Sequence, residues 1–85
     1  MTDTLIGFGL EASAIKKCAG TGLVVDIIGK GPEKKDNGAK CIAIRADMDG
    51  LFMKENNPDL VYRTTTEYAH MCGHDGHMAM ALACA

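Results

Sequence analysis

The chain has 85 residues, of which 47% are hydrophobic and 24% charged, with a formal net charge of −2. This balance excludes a disordered charged tail and offers no basic surface for nucleic acid. At such a length the core is small, burying only about 60 to 65% of the surface that the unfolded chain exposes.

Residues 3–17 read as a helix. Asp3 or Thr4 is available as its cap, and Leu5, Ile6, Phe8, Leu10, Ala12, Ala14 and Ile15 supply apolar positions, with Gly7 and Gly9 weakening the interior. The opening residues carry no basic region, and the apolar run from Leu5 to Leu10 is too short for a secretory segment. No run approaches the roughly 18 apolar residues that a membrane-spanning helix needs. A cytoplasmic protein with no membrane partner is expected, and its cysteines at 18, 41, 72 and 84 should then stay reduced.

Residues 23–29 are β-branched, short and bounded by glycine, which predicts a strand, and residues 40–46 predict a second. The stretch between them, residues 30–39, consists of turn formers and charges, so the two strands are expected to pair as an antiparallel hairpin across a solvated loop. Residues 50–66 read as irregular, with a turn at Asn56-Asn57-Pro58-Asp59 and a short extended piece from Val61. The last segment, residues 76–85, is rich in helix formers from Met78 to Ala83, with Asp75 placed to cap it. That helix is apolar nearly all round, more than so short a chain can cover, so the sequence reads as part of a larger domain.

One stretch carries most of the chemistry. His70-Met71-Cys72-Gly73-His74-Asp75-Gly76-His77 contains every histidine of the chain. Cys72 stands just before a predicted helix, whose N-terminal amides favour a thiolate, and thiolate with imidazole is a ligand set for zinc or a related ion. In an extended segment His70, Cys72 and His74 would share one face. His77 is the weakest candidate of the group, and a reactive Cys72 assisted by histidine is the competing reading. The second constellation is Arg45-Ala46-Asp47-Met48-Asp49-Gly50, two carboxylates following a predicted strand. Alone it is equally a strand-ending turn, but beside the histidines one aspartate could ligate a metal or orient a ligating imidazole. Cys41 and Cys84 read as packing residues and Cys18 as a helix-end residue, while Gly20-Thr21-Gly22 and Gly29-Lys30-Gly31 read as turns.

Taken together, Arg45-Ala-Asp-Met-Asp-Gly-Leu51, then Met53-Lys54-Glu55-Asn56, then His70 to His77, resemble the amidohydrolase branch of the aminoacylase/carboxypeptidase dinuclear-metal peptidase family. The likeness runs from about Gly20 to Ala83. It implies an α/β fold in which residues 1–85 are a partial N-terminal segment of a three-layer catalytic domain, with a central sheet, a β-hairpin flanked by helices, and the lid domain absent. It implies two divalent metals, zinc or manganese, in the intact site, with Cys72 as bridging ligand and His74 as its neighbour. Asp49 would support the site from behind the ligands, and Asp47 is its less certain partner.

The general-base glutamate and the remaining ligands of the family fall outside these residues. Phe52 stands where the family usually has proline, and residues 33–39 look like an enlarged hairpin loop. The expected function is the N-terminal part of a metal-dependent amidohydrolase acting on N-acyl amino acids or peptide-like amides, inactive alone, with a homodimer formed through the missing lid. The alternatives are a non-catalytic truncated metal-binding remnant and a thiol redox protein using Cys72.

Overall fold

The structure, a computed structural model, describes residues 1–31 and 41–85. The chain divides into two compact units, Met1–Arg45 with Ala85, and Ala46–Cys84.

In the first unit, helix α1 (Thr2–Gly7) carries Asp3 in its first turn, where a negative charge complements the helix dipole, and it buries Leu5. The expected helix over residues 3–17 is therefore cut short. The Phe8 N–H closes it onto the Thr4 and Leu5 carbonyls, and Gly9, at a φ of 96°, takes the backbone where helix cannot continue. A single 3-10 turn (Ala12–Ala14) leads into strand β1 (Ile15–Cys18), which pairs antiparallel with β2 (Gly22–Val25) from Ile15↔Val25 to Cys18↔Gly22.

The expected hairpin between residues 23–29 and 40–46 is thus corrected. Closing the short turn after Cys18, with Ala19 at a φ of 49°, costs less chain entropy than closing a loop over the charged stretch beyond Gly31. Residues 41–46 carry no strand, and residues 32–40, with the expected enlarged loop at 33–39, lie outside the described residues. Lys16 Nζ meets Asp26 Oδ2 at 2.8 Å, and that hydrogen bond lifts the Lys16 ammonium above its usual 10.5. Both partners face solvent, so the pair adds little to stability.

In the second unit, β3 (Leu51–Phe52) pairs antiparallel with β4 (Tyr68–Ala69), and the Phe52 and Tyr68 rings meet edge to face at 5.2 Å. The phenyl ring thus anchors the ladder at the position where the family usually has proline. The chain between the strands is irregular, as expected, but Val61 lies in a turn and not in an extended piece. Glu55 organises it by accepting hydrogen bonds from the Thr64 backbone N–H at 2.8 Å and the Asn57 amide at 3.1 Å. These donors hold the Glu55 carboxyl below its usual range.

Helix α2 (His74–Cys84) follows Gly73, whose φ of 83° turns the chain from the strand side into the helix. It starts earlier than residue 76, so Asp75 lies within the first turn and does not cap it. His74, Met78, Ala81 and Leu82 are half-buried, a spacing that makes one stripe along the helix, while Met80 on another side is exposed. Residues 70–73 are not a strand, which removes the extended segment expected to align His70, Cys72 and His74. Among the described residues the buried hydrophobics are Leu5 and Ala69. Cys41 and Cys84, expected to pack inside, are exposed, as are Cys18, Ile42 and Ile44. Among the described residues no helix is long and apolar enough to cross a membrane.

Candidate metal centre

The β3–β4 ladder builds the site. In an antiparallel pair the chain entering one strand lies beside the chain leaving the other. Leu51↔Ala69 pairing therefore sets Asp47 and Asp49, just before β3, against the start of α2, just after β4. Residues far apart in sequence meet there. The His74 Nδ1–H donates to Asp49 Oδ1 at 2.8 Å, and His77 Nδ1 donates to Asp47 Oδ1 at 2.7 Å. His74 Nε2 lies 3.7 Å from Asp47 Oδ2, and the two imidazoles stack at 5.6 Å.

One ligand atom from each of Asp47, His74 and His77 lies within 4.8 Å of the others, and Cys72, which is exposed, does not join that group. His70 instead lines a separate open hollow with Glu55, Tyr62, Thr64, Tyr68 and Asp75. The structure thus brings together Asp47, Asp49 and His74 of the residues named from sequence, and it adds His77. The sequence signal for His77 is its spacing: once the helix starts at residue 74, His74 and His77 are three apart and neighbours on its surface.

The chemistry of these side chains fits a divalent transition ion. Two imidazoles and a carboxylate are ligands that zinc and its neighbours accept, and the Asp49 contact orients the His74 ring. His74 has a side-chain exposure of 17%, Asp47 31% and His77 48%, so the His74 ring is the least solvated of the three.

The hydrogen bond from His77, with smaller help from the backbone at Asp47 and the nearby imidazole charges, holds the Asp47 carboxyl below its usual 3.8. A lowered folded-state value means that this link is fully present above 3.8 and is lost as pH falls through the lowered one. A carboxyl carbon titration of Asp47 by NMR is expected to have its midpoint below 3.8, and His77→Ala to move that midpoint upward. An unmoved midpoint would show that the His77 contact does not hold the charge.

No family model matches the chain, and no solved structure matches it. Among characterised proteins, it is 37% identical over 82 residues to thermostable carboxypeptidase 1 of Saccharolobus solfataricus, covering 95% of this chain and 20% of that protein. It is 40% identical over 81 residues to the N-acyl-L-amino acid amidohydrolase of Geobacillus stearothermophilus, covering 94% of this chain and 20% of the relative. A match of 37% over 83 residues to a putative glutamate–cysteine ligase of Rhodococcus jostii covers only 9% of that much longer chain, so the name of the whole does not speak for the matched part.

The class these relatives define is that of hydrolases of peptide and amide bonds. Within it, the chain belongs to the amidohydrolase branch of the aminoacylase/carboxypeptidase family, and it spans about a fifth of the length of those two relatives.

Proposed function

We propose that the chain is the N-terminal part of a metal-dependent amidohydrolase that cleaves N-acyl amino acids or peptide-like amides, working in the cytoplasm as a three-layer α/β enzyme. The observation that carries this reading is the 40% identity to an N-acyl-L-amino acid amidohydrolase over 94% of the chain, a stretch long enough to span both the aspartate and the histidine motifs. In the intact enzyme Cys72 and His74 would hold zinc or manganese, two ions per site, with further ligands from beyond these residues. A metal held there would supply Lewis-acid chemistry, polarising the amide carbonyl and lowering the pKa of its bound water toward neutrality.

This chain's own residues supply positioning. Asp49 orients the His74 ring through the 2.8 Å hydrogen bond, and Asp47 places a carboxylate beside both imidazoles. The proton transfers of amide cleavage need a general base, and the family's glutamate for that task lies outside these residues. A homodimer joined through the family's lid domain completes the proposal.

The test is a chimera. This chain replaces the matched segment of the Geobacillus stearothermophilus amidohydrolase, and release of free amino acid from N-acetyl amino acids is followed with zinc or manganese added. Hydrolysis is expected from the chimera and none from the 85-residue chain alone. A chimera that folds and loads metal yet leaves every N-acyl amino acid intact refutes the reading.

A further inference from the structure

Of the three stretches that carry the family likeness, those of the aspartates and the histidines meet at the metal centre, and the middle one, Met53-Lys54-Glu55-Asn56, contributes no atom there. We propose that Glu55 is a positioning residue for that centre: by tying the chain that leaves β3 to the chain that enters β4, it sets Asp49 against His74. The proposal rests on the metal-dependent reading above and concerns how the ligand face is held.

The need for a tie follows from the size of the ladder. Its pairs are Leu51↔Ala69 and Phe52↔Tyr68, and between them they must close residues 53–67. Even a longer two-stranded hairpin is marginal in water, so these pairs alone hold such a loop poorly. A cross-link close to the strands shortens the chain that the ladder has to close. Glu55 supplies it, accepting the Thr64 backbone N–H on Oε2 at 2.8 Å across nine positions of sequence. Among the described residues no other side-chain hydrogen bond joins the two arms of this loop.

From Thr64 the connection runs on into β4. The Thr66 N–H donates to Thr64 Oγ1 at 3.2 Å, while the Thr66 hydroxyl donates to the Tyr68 carbonyl at 3.0 Å and accepts the Tyr68 N–H at 3.2 Å. With the Thr66 proton spent on Tyr68, the 2.9 Å contact between the two threonine hydroxyls has Thr64 as its donor. Tyr68 is a ladder residue, paired with Phe52, so a carboxylate on one arm is linked to the strand that leads toward His74.

Glu55 is suited to this task. Its Oε1 accepts the Asn57 amide at 3.1 Å while Oε2 holds Thr64, and a backbone N–H bonded to an ionised acceptor is held more strongly than one bonded to a neutral group. The Thr64 and Asn57 donors keep the carboxyl ionised against the repulsion of the Asp75 charge. At the metal centre the effect is geometric. Asp49 Oδ1 and His74 Nδ1, 2.8 Å apart, belong to the two chain ends that the ladder brings together, so slack in the ladder becomes slack in that contact. Partners that orient a ligating imidazole are worth roughly 10- to 100-fold in metal affinity.

The experiment compares Glu55→Ala, Glu55→Gln, Thr66→Val and the combination of Glu55→Ala with Thr66→Val, each in the 85-residue chain and in the chimera described above. In the chain, amide exchange at Thr64 and the nuclear Overhauser contacts between Leu51 and Ala69 read the tie itself. In the chimera, cobalt(II) affinity and the visible d–d bands read the ligand geometry, with ellipticity at 222 nm as the control for folding. Glu55→Ala is expected to accelerate Thr64 exchange, to shift the d–d bands and to weaken cobalt binding roughly tenfold, the lower end of the range because it acts at one remove. Glu55→Gln still offers an oxygen to the Thr64 N–H, and its amide can donate to the Asn57 oxygen, so it is expected to bind within about threefold of the parent. Thr66→Val breaks the same connection further along and carries the expectation of Glu55→Ala, which keeps the test decisive where Glu55→Ala unfolds. Combining the two should weaken binding no further than either alone. Parent-like binding and bands in Glu55→Ala overturn the inference. So do losses that Glu55→Gln fails to recover, or that add in the combined variant, since these make Glu55 an ordinary stabilising residue. A parent chimera that binds cobalt and leaves N-acyl amino acids intact refutes the hydrolase reading alone, while exchange and cobalt affinity still decide the role of Glu55.

Discussion

Replacing His74 by alanine is expected to abolish divalent-metal binding, lowering affinity by at least roughly 100-fold, because this ring belongs to both candidate ligand sets. It is the ring that the resemblance pairs with Cys72 and the ring that the structure sets against Asp47 and His77. Its removal leaves Asp49 without the imidazole it orients and Asp47 without one of its two neighbours. The helix should survive, since alanine is the better helix former and residue 74 is its first position. Calorimetry with zinc and circular dichroism together check this: the binding heat disappears while the helical signal stays. Asp49→Ala should be milder, weakening binding by roughly 10- to 100-fold, as expected when only the orienting partner of a ligand is lost. In the chimera the His74→Ala change should reduce amide hydrolysis to background. Unchanged zinc binding by His74→Ala would contradict both ligand assignments at once.

Leu5→Ala is expected to have the largest effect on stability. Leu5 retains 4% of its accessible surface, and the other buried hydrophobic residue among those described is the much smaller Ala69. Truncating a buried leucine to alanine costs about 2 to 5 kcal/mol in established cores, a large part of what a small unit has available. The consequence should be confined to one half of the chain. Amide exchange in the β1–β2 hairpin should accelerate toward that of an unfolded peptide, while the β3–β4 ladder and α2, in the other unit, keep their protection. Equal acceleration in both units would show that they unfold as one.

The clearest element in the sequence was α2, because Met78 to Ala83 offers helix formers without a breaker. Its start was misjudged. The turn is made by Gly73 at positive φ, and that conformation cannot be read from a glycine that is one of several nearby. The first helix was overextended because Ala12, Ala14 and Ile15 fit a helical period and an extended period equally well over so few residues. The partner of β2 is β1, across the turn that Gly20-Thr21-Gly22 signals, and not residues 40–46. A turn that short implies pairing between its immediate flanks, and here that local signal outweighed the longer hydrophobic run at residues 41–46.

The site divides in the same way. Residue types and their grouping in two motifs pointed to Asp47, Asp49 and His74, whereas the place of His77 depended on where the helix begins, which is a tertiary fact. The contact between the aspartates and the histidines depends on the two loops being brought side by side. A two-residue ladder supplies that condition, which is far too short to announce itself by alternation.

That ladder also decides what kind of object the site is. Its acidic half and its imidazole half arrive from opposite ends of a clasp whose fastening is Leu51–Phe52 against Tyr68–Ala69. On the proposed reading, fastening and ion capture would be one thermodynamic event: whatever holds the clasp shut would tighten the grip on a cation, and a captured cation would lock the clasp in return.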